Sequence, residues 1–105
     1  MTYDYGEIVA LADPTRRAVF EMVVAHPRSV AELTRALPVS QSAVSQHLKV
    51  LKEAQLVHAE QRGTRNIYRL DTRGLERMRK WLDGMWMEAL TAFAHELEKS
   101  EETDR

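Results

Sequence analysis

Cysteine is absent from this 105-residue chain. That excludes disulfides, thiolate nucleophiles and cysteine-ligated metal, and it suits a reducing compartment without requiring one. No apolar run approaches the ~20 residues that a membrane span needs. Asp4 and Glu7 stand where the basic and apolar regions of a signal peptide would be. The expectation is a cytoplasmic chain with no membrane partner. Glycine is also sparse, at four scattered positions, so there is no glycine-rich loop to cradle phosphates. No histidine and carboxylate belong to a recognisable catalytic motif with a nucleophile. The chain is therefore expected not to be an enzyme, and no cofactor is expected.

Net charge is nearly absent too, at −1, but its distribution is uneven. Residues 14–80 hold thirteen Lys/Arg and six Asp/Glu, a balance of +7. Residues 1–13 carry −3 and residues 81–105 carry −5. A local basic field attracts phosphates even on a neutral chain. At this length one domain is expected, with a core of modest size that dimerisation would enlarge.

The most informative stretch is Ser40 to Lys52. Val44, Leu48 and Leu51 recur at i, i+4 and i+7, so one face of a helix can meet a core. Gln41, Ser42, Ser45, Gln46 and Lys49 point elsewhere. A solvated helix face would carry mostly Glu and Lys, and this one has no acid between Ser40 and Lys52. Glutamine pairs with adenine and serine with several bases, so the face suits a DNA major groove. Ser40 is a good N-cap, and the helix end it marks can meet a phosphate. His47 either contacts DNA or borders the core.

Ahead of this helix, Ser29-Val-Ala-Glu32 fits a capping box. It predicts a helix of about two turns with Ala31, Leu33 and Leu37 as its apolar positions. Pro38 ends that helix and Ser40 starts the next, which makes a helix-turn-helix. A plain pair of core helices would have no use for the Ser/Gln face. Beyond the second helix, residues 57–61 and 66–70 read as strands around an Arg62-Gly63-Thr64-Arg65 turn. A hairpin directly after such a helix is a wing. Arg62 and Arg65 at its tip suit phosphate or minor-groove contact, or else form a solvated basic turn.

Asp13-Pro-Thr-Arg16, the run Ser40-Gln-Ser-Ala-Val-Ser-Gln-His-Leu-Lys-Val-Leu51, and Arg62-Gly63 followed by Tyr68-Arg-Leu70 carry a family resemblance. The chain resembles the ArsR/SmtB family of bacterial winged-helix regulators over roughly residues 6–97. The resemblance implies a mainly α fold with a small β-hairpin, in the order α-α-α-α-β-β-α. It also implies a homodimer that represses an operator, joined through its first and last helices. The interface candidates on those helices are Ile8, Leu11, Leu82, Met85, Trp86, Ala89 and Phe93.

Tyr5–Ala12 is expected to be the first helix, with Ile8, Val9, Leu11 and Ala12 as apolar contacts. Asp13-Pro14 starts the second helix, where Ala18, Val19, Met22 and Val23 recur at helical spacing. Arg16 and Arg17 are candidates for a phosphate or for ordinary surface. The final helix is expected over 73–99 as the dimerisation element of one winged-helix domain, residues 1–99, with a flexible tail at 100–105. Leu75, Met78, Leu82, Met85, Ala89, Phe93 and Leu97 form its stripe, with Trp81, Trp86 and Leu90 alongside. Such a stripe suits pairing with a second copy, and less readily an apolar effector pocket. Gly84 in its interior costs roughly 1 kcal/mol relative to Ala, so close backbone approach is its candidate use.

Relatives of this kind include metal sensors. One family pattern puts cysteines before the recognition helix, and residues 30–37 have none. Another puts Asp-x-His and His-x-x-Glu pairs on the last helix. His95 and Glu98 match the second pair, but Asp83 has no histidine beside it. Zinc sites usually want three or four ligands, so no metal is expected, and a metal-responsive repressor using His95 and Glu98 is the alternative. A protein-interaction module that has lost DNA binding is another, and an effector remains unidentified. His47 and His58 would titrate near neutral pH, which leaves pH-sensitive DNA binding open.

Overall fold

The structure, a computed structural model, describes residues 2–103. Five helices and three short strands follow in the order α1 (Gly6–Ala12), α2 (Pro14–Ala25), β1 (Arg28–Ser29), α3 (Val30–Ala36), α4 (Gln41–Glu53), β2 (Val57–Arg62), β3 (Arg65–Leu70) and α5 (Thr72–Thr103). Helices α2, α3 and α4 each begin where a side chain satisfies an orphan backbone N–H group. Asp13 Oδ1 accepts from the Arg16 amide at 2.9 Å, with Pro14 in the first turn of α2. Ser29 and Glu32 form the reciprocal capping box at the start of α3. The Ser40 hydroxyl accepts from the Ala43 amide at 3.1 Å at the start of α4.

The sheet corrects the two-stranded expectation. β1 joins as a third strand in the order β1-β3-β2, pairing Arg28 with Tyr68 and Ser29 with Ile67, antiparallel. Two residues are too few to show an alternating pattern. β2 and β3 pair from Val57 opposite Leu70 to Arg62 opposite Arg65. The turn is thus only Gly63-Thr64, with Gly63 at φ 62°, a value glycine adopts without strain.

Val19, Phe20 and Val23 of α2, Leu33 of α3, and Val44, Leu48 and Leu51 of α4 form the core with Ala10, Leu56 and Val57. Leu33 and Leu37 face the core as expected, but Ala31 is exposed and Val30 packs at the edge of the core in its place. Val9 and Ala12 of α1 are exposed as well, because α1 turns Ala10 and Glu7 inward. Buried Glu7 is matched by Arg77 of α5, whose Nε donates to its carboxylate at 3.1 Å. Arg16 and Arg17 donate to the Ala10 and Leu11 carbonyls, so they tie α2 to the end of α1.

The helix α4 ends in a Schellman arrangement. Gln55 takes φ 58°, its amide donates to Lys52 O, and the Leu56 amide donates to Leu51 O, both at 3.0 Å. Gly74 of α5 rests on this end, its amide donating to Gln55 O at 2.9 Å. A Cβ at Gly74 would lie 2.6 Å from the carbonyl oxygens of both Ala54 and Gln55. Gly84, the glycine expected to make a close approach, has nothing within 4 Å of its Cβ position in the chain.

From this seat α5 runs for 32 residues, ~48 Å at 1.5 Å per residue. It continues through residues 100–103, where a flexible tail was expected, because no glycine or proline interrupts that stretch. Residues 104 and 105 of that tail lie outside the described residues. Among the described residues no helix is long and apolar enough to cross a membrane.

Candidate nucleic-acid interface

Burial of Val44, Leu48 and Leu51 fixes the rotation of α4, and so turns Gln41, Ser42, Ser45, Gln46 and Lys49 outward. At ~100° per residue these five fall within less than half of the helix circumference. None of them hydrogen bonds to another described residue, so their donors and acceptors stay available. Ser40 is exposed at the same end, its hydroxyl engaged as the cap. His47 is half-buried on the flank of this face. It lies near Asp13, whose pKa is held below its ordinary value first by the Arg16 amide and in smaller part by this histidine. His47 thus borders the body of the domain, while His58 is exposed on β2.

The two wing arginines stand directly opposite each other at the ends of β2 and β3. Both are largely exposed, and each has a loose carboxylate neighbour. Arg62 lies 3.6 Å from Glu60, and Arg65 lies 3.5 Å from Glu32. Glu60 is bonded more closely to Arg69, across the hairpin. Glu32 serves two purposes: its carboxylate closes the capping box and reaches the wing. The Ser29 amide and hydroxyl, ahead of Arg65, depress its pKa. Exposed pairs of this kind contribute little in water, so a phosphate can displace them.

The basic stretch divides once it is folded. Arg69, Arg73, Arg77 and Arg79 are paired with Glu60, Asp71, Glu7 and Asp83. Arg35, Lys49 and Lys52 remain exposed and without an ion pair among the described residues. The cations free for a partner therefore include those of α3, α4 and the wing tip, and Lys80 of α5, which also has no ion pair among the described residues. Of the ion pairs, Arg77 with Glu7 joins residues 70 apart and so leaves no local signal in the sequence.

On α5, Leu82, Met85, Trp86 and Phe93 are 48–64% exposed, and Ala89 is exposed with them. Ile8 and Leu11 of α1 are half-buried, and Leu11 also packs on the core. His95 and Glu98 are both exposed, and no cluster of three or more potential metal ligands forms among the described residues.

A family profile described as a helix-turn-helix domain matches residues 11–60, the stretch from the end of α1 into β2. The chain is 55% identical over 85 residues to the HTH-type transcriptional regulator Rv2034 of Mycobacterium tuberculosis, a match that covers 81% of this chain and 79% of that one. It is 37% identical to the solved structure of a possible transcriptional regulator for arsenical resistance, with TM-score 0.70 and coverage of 83% and 94%. It is 27% identical to an ArsR-like transcriptional regulator from Rhodococcus sp. RHA1, with TM-score 0.69 and coverage of 84% and 86%. The chain belongs to the ArsR/SmtB family of winged-helix regulators. Members of this family are DNA-binding regulators of transcription rather than enzymes. Helix α4 is thus the second helix of an ArsR-family helix-turn-helix, and the β2–β3 hairpin is its wing.

Proposed function

We propose that this ArsR-family regulator is a homodimeric repressor that occupies an inverted-repeat operator, in many cases upstream of its own gene, and blocks polymerase. The observation that carries this reading is the unpaired, acid-free Ser/Gln face of α4 beside the displaceable Arg62 and Arg65. Gln41, Ser42, Ser45 and Gln46 read base edges, with His47 at the border of the contact. Ser40, Lys49, Arg62 and Arg65 meet phosphates or the adjoining minor groove. This division follows from chemistry, since amides and hydroxyls discriminate bases whereas cations on backbone oxygens do not.

Dimerisation rests on the apolar stripe of α5. Leu82, Met85, Trp86, Ala89 and Phe93 are exposed among the described residues, and a second α5 with Ile8 and Leu11 of each α1 would bury them. Two recognition helices would then enter successive major grooves ~34–36 Å apart. The dimer works on cytoplasmic DNA, and needs no cofactor to bind it.

Fluorescence anisotropy on DNA from upstream of the gene, beside a scrambled duplex, tests the proposal. Binding at least ~10³-fold tighter to the upstream DNA is expected. The log–log salt slope should be about −0.9 per phosphate neutralised. Equal weak binding to both duplexes would remove the autorepressor reading, and no binding even at low salt would remove the DNA role.

A further inference from the structure

Where α5 leaves the body of the domain, Thr2, Tyr3, Asp4, Arg77, Lys80 and Trp81 line a cleft of about 540 Å³. Small-molecule sites run to roughly 300–1,000 Å³. One wall is aromatic. The Tyr3 and Trp81 rings stack with centroids 5.5 Å apart, and Tyr5 meets both edge-on at 5.1 and 5.6 Å. The other wall is cationic. Arg77 is held by Glu7, whereas Lys80 has no ion pair among the described residues.

Two local costs mark the same place. Tyr3 Oη is buried beside the Glu7 carboxylate without a well-formed hydrogen bond among the described residues. Burial, and next the Glu7 charge, raise the pKa of this phenol above its ordinary value, so it remains a donor at neutral pH. Tyr5 takes φ 63°, a strained conformation for a non-glycine residue and one that concentrates at ligand clamps.

We infer that this cleft binds a small aromatic carboxylate, with its ring on the Tyr3–Trp81 wall and its carboxylate on the Lys80 ammonium. An organic cation is disfavoured by Arg77 and Lys80, and the one acid of the lining, Asp4, already accepts from the Gly6 amide at 2.9 Å. The Lys80 side of the cleft lies away from the proposed pairing face of α5. At ~100° per residue, Lys80 lies about 120–160° around the helix from Leu82, Trp86 and Phe93. The site goes beyond the repressor reading and does not rest on it.

Amide NMR of the full chain, titrated with indole-3-acetate and with benzoate, tests this without DNA, so its failure is separate from failure of operator binding. Trp81→Phe assigns the two indole N–H signals. The Trp81 signal should shift saturably while that of Trp86 stays still. Lys80→Glu should weaken binding at least ~10-fold, as should replacing the acid by indole-3-acetamide, with the rest of the spectrum unchanged. No shift with either acid up to ~10 mM, or equal binding by Lys80→Glu or of the amide, would overturn the inference.

Discussion

Gln46 projects from α4 with its amide unengaged, whereas Arg65 is held loosely by Glu32 at the wing. The difference separates their roles experimentally. Gln46→Ala should lower the preference for operator over scrambled DNA by about 1–3 kcal/mol, the worth of a bidentate base contact. Arg65→Ala should weaken both duplexes alike and reduce the salt slope by about one phosphate. Equal losses on both duplexes for both variants would count against base reading by Gln46. A second residue-scale consequence concerns acid. Asp13, Glu32 and Asp71 have pKa values below their ordinary ones, caused first by the Arg16 amide, the Ser29 amide and the Arg73 guanidinium respectively. Depressed folded values mean that their contribution is complete above the unfolded value of about 4 and is lost as pH falls through the folded values. The thermal midpoint should therefore fall below about pH 4, and Asp71→Asn should flatten that fall. An identical acid profile in the variant would remove Asp71 from the account.

Caps and faces were legible element by element. Asp13, Ser29 with Glu32, and Ser40 each begin a helix as their spacing predicts, because a cap joins groups only two or three residues apart. Periodicity likewise identified Val44, Leu48 and Leu51 as buried, and with them the outward Ser/Gln face. β1 was not legible, since its strand character depends on β3, which lies about forty residues on. Nor was the role of Gly74, which carries no local sign of the two carbonyl groups it meets. Gly74→Ala should destabilise the fold by about 1–3 kcal/mol, because backbone oxygens cannot swing aside. Gly84→Ala, with open space at its Cβ, should instead stabilise by up to about 1 kcal/mol. Urea midpoints of the two variants check the contrast, and a neutral Gly74→Ala would mean that α5 docks more loosely on the end of α4.

The whole molecule is extended for its length. Its radius of gyration is 19.5 Å, against roughly 13 Å for a compact domain of this size. The excess is α5, which carries Leu82, Trp86 and Phe93 in the open. Leu82→Glu and Phe93→Glu should convert a dimer to a monomer by light scattering, with the helix content of each chain retained by circular dichroism. Operator affinity should fall with them, since a single recognition helix reads only a half-site. A dimer that survives both substitutions would place pairing on another surface.

The sequence by itself determined what is local: the helix starts, the rotation of α4, the glycine turn of the wing and the apolar stripe of α5. Each depends on residues within one or two turns of one another, where spacing and chemistry suffice. Tertiary structure alone decided which charges are available. Glu7 and Arg77 pair across 70 residues, and Glu32 and Arg65 across 33. Such partners meet only when packing brings distant elements together, so net charge along the chain overstates the cations free for DNA. The same juxtaposition makes the Tyr3, Lys80 and Trp81 cleft, because no repeat along the chain records which far segment an amphipathic helix will face.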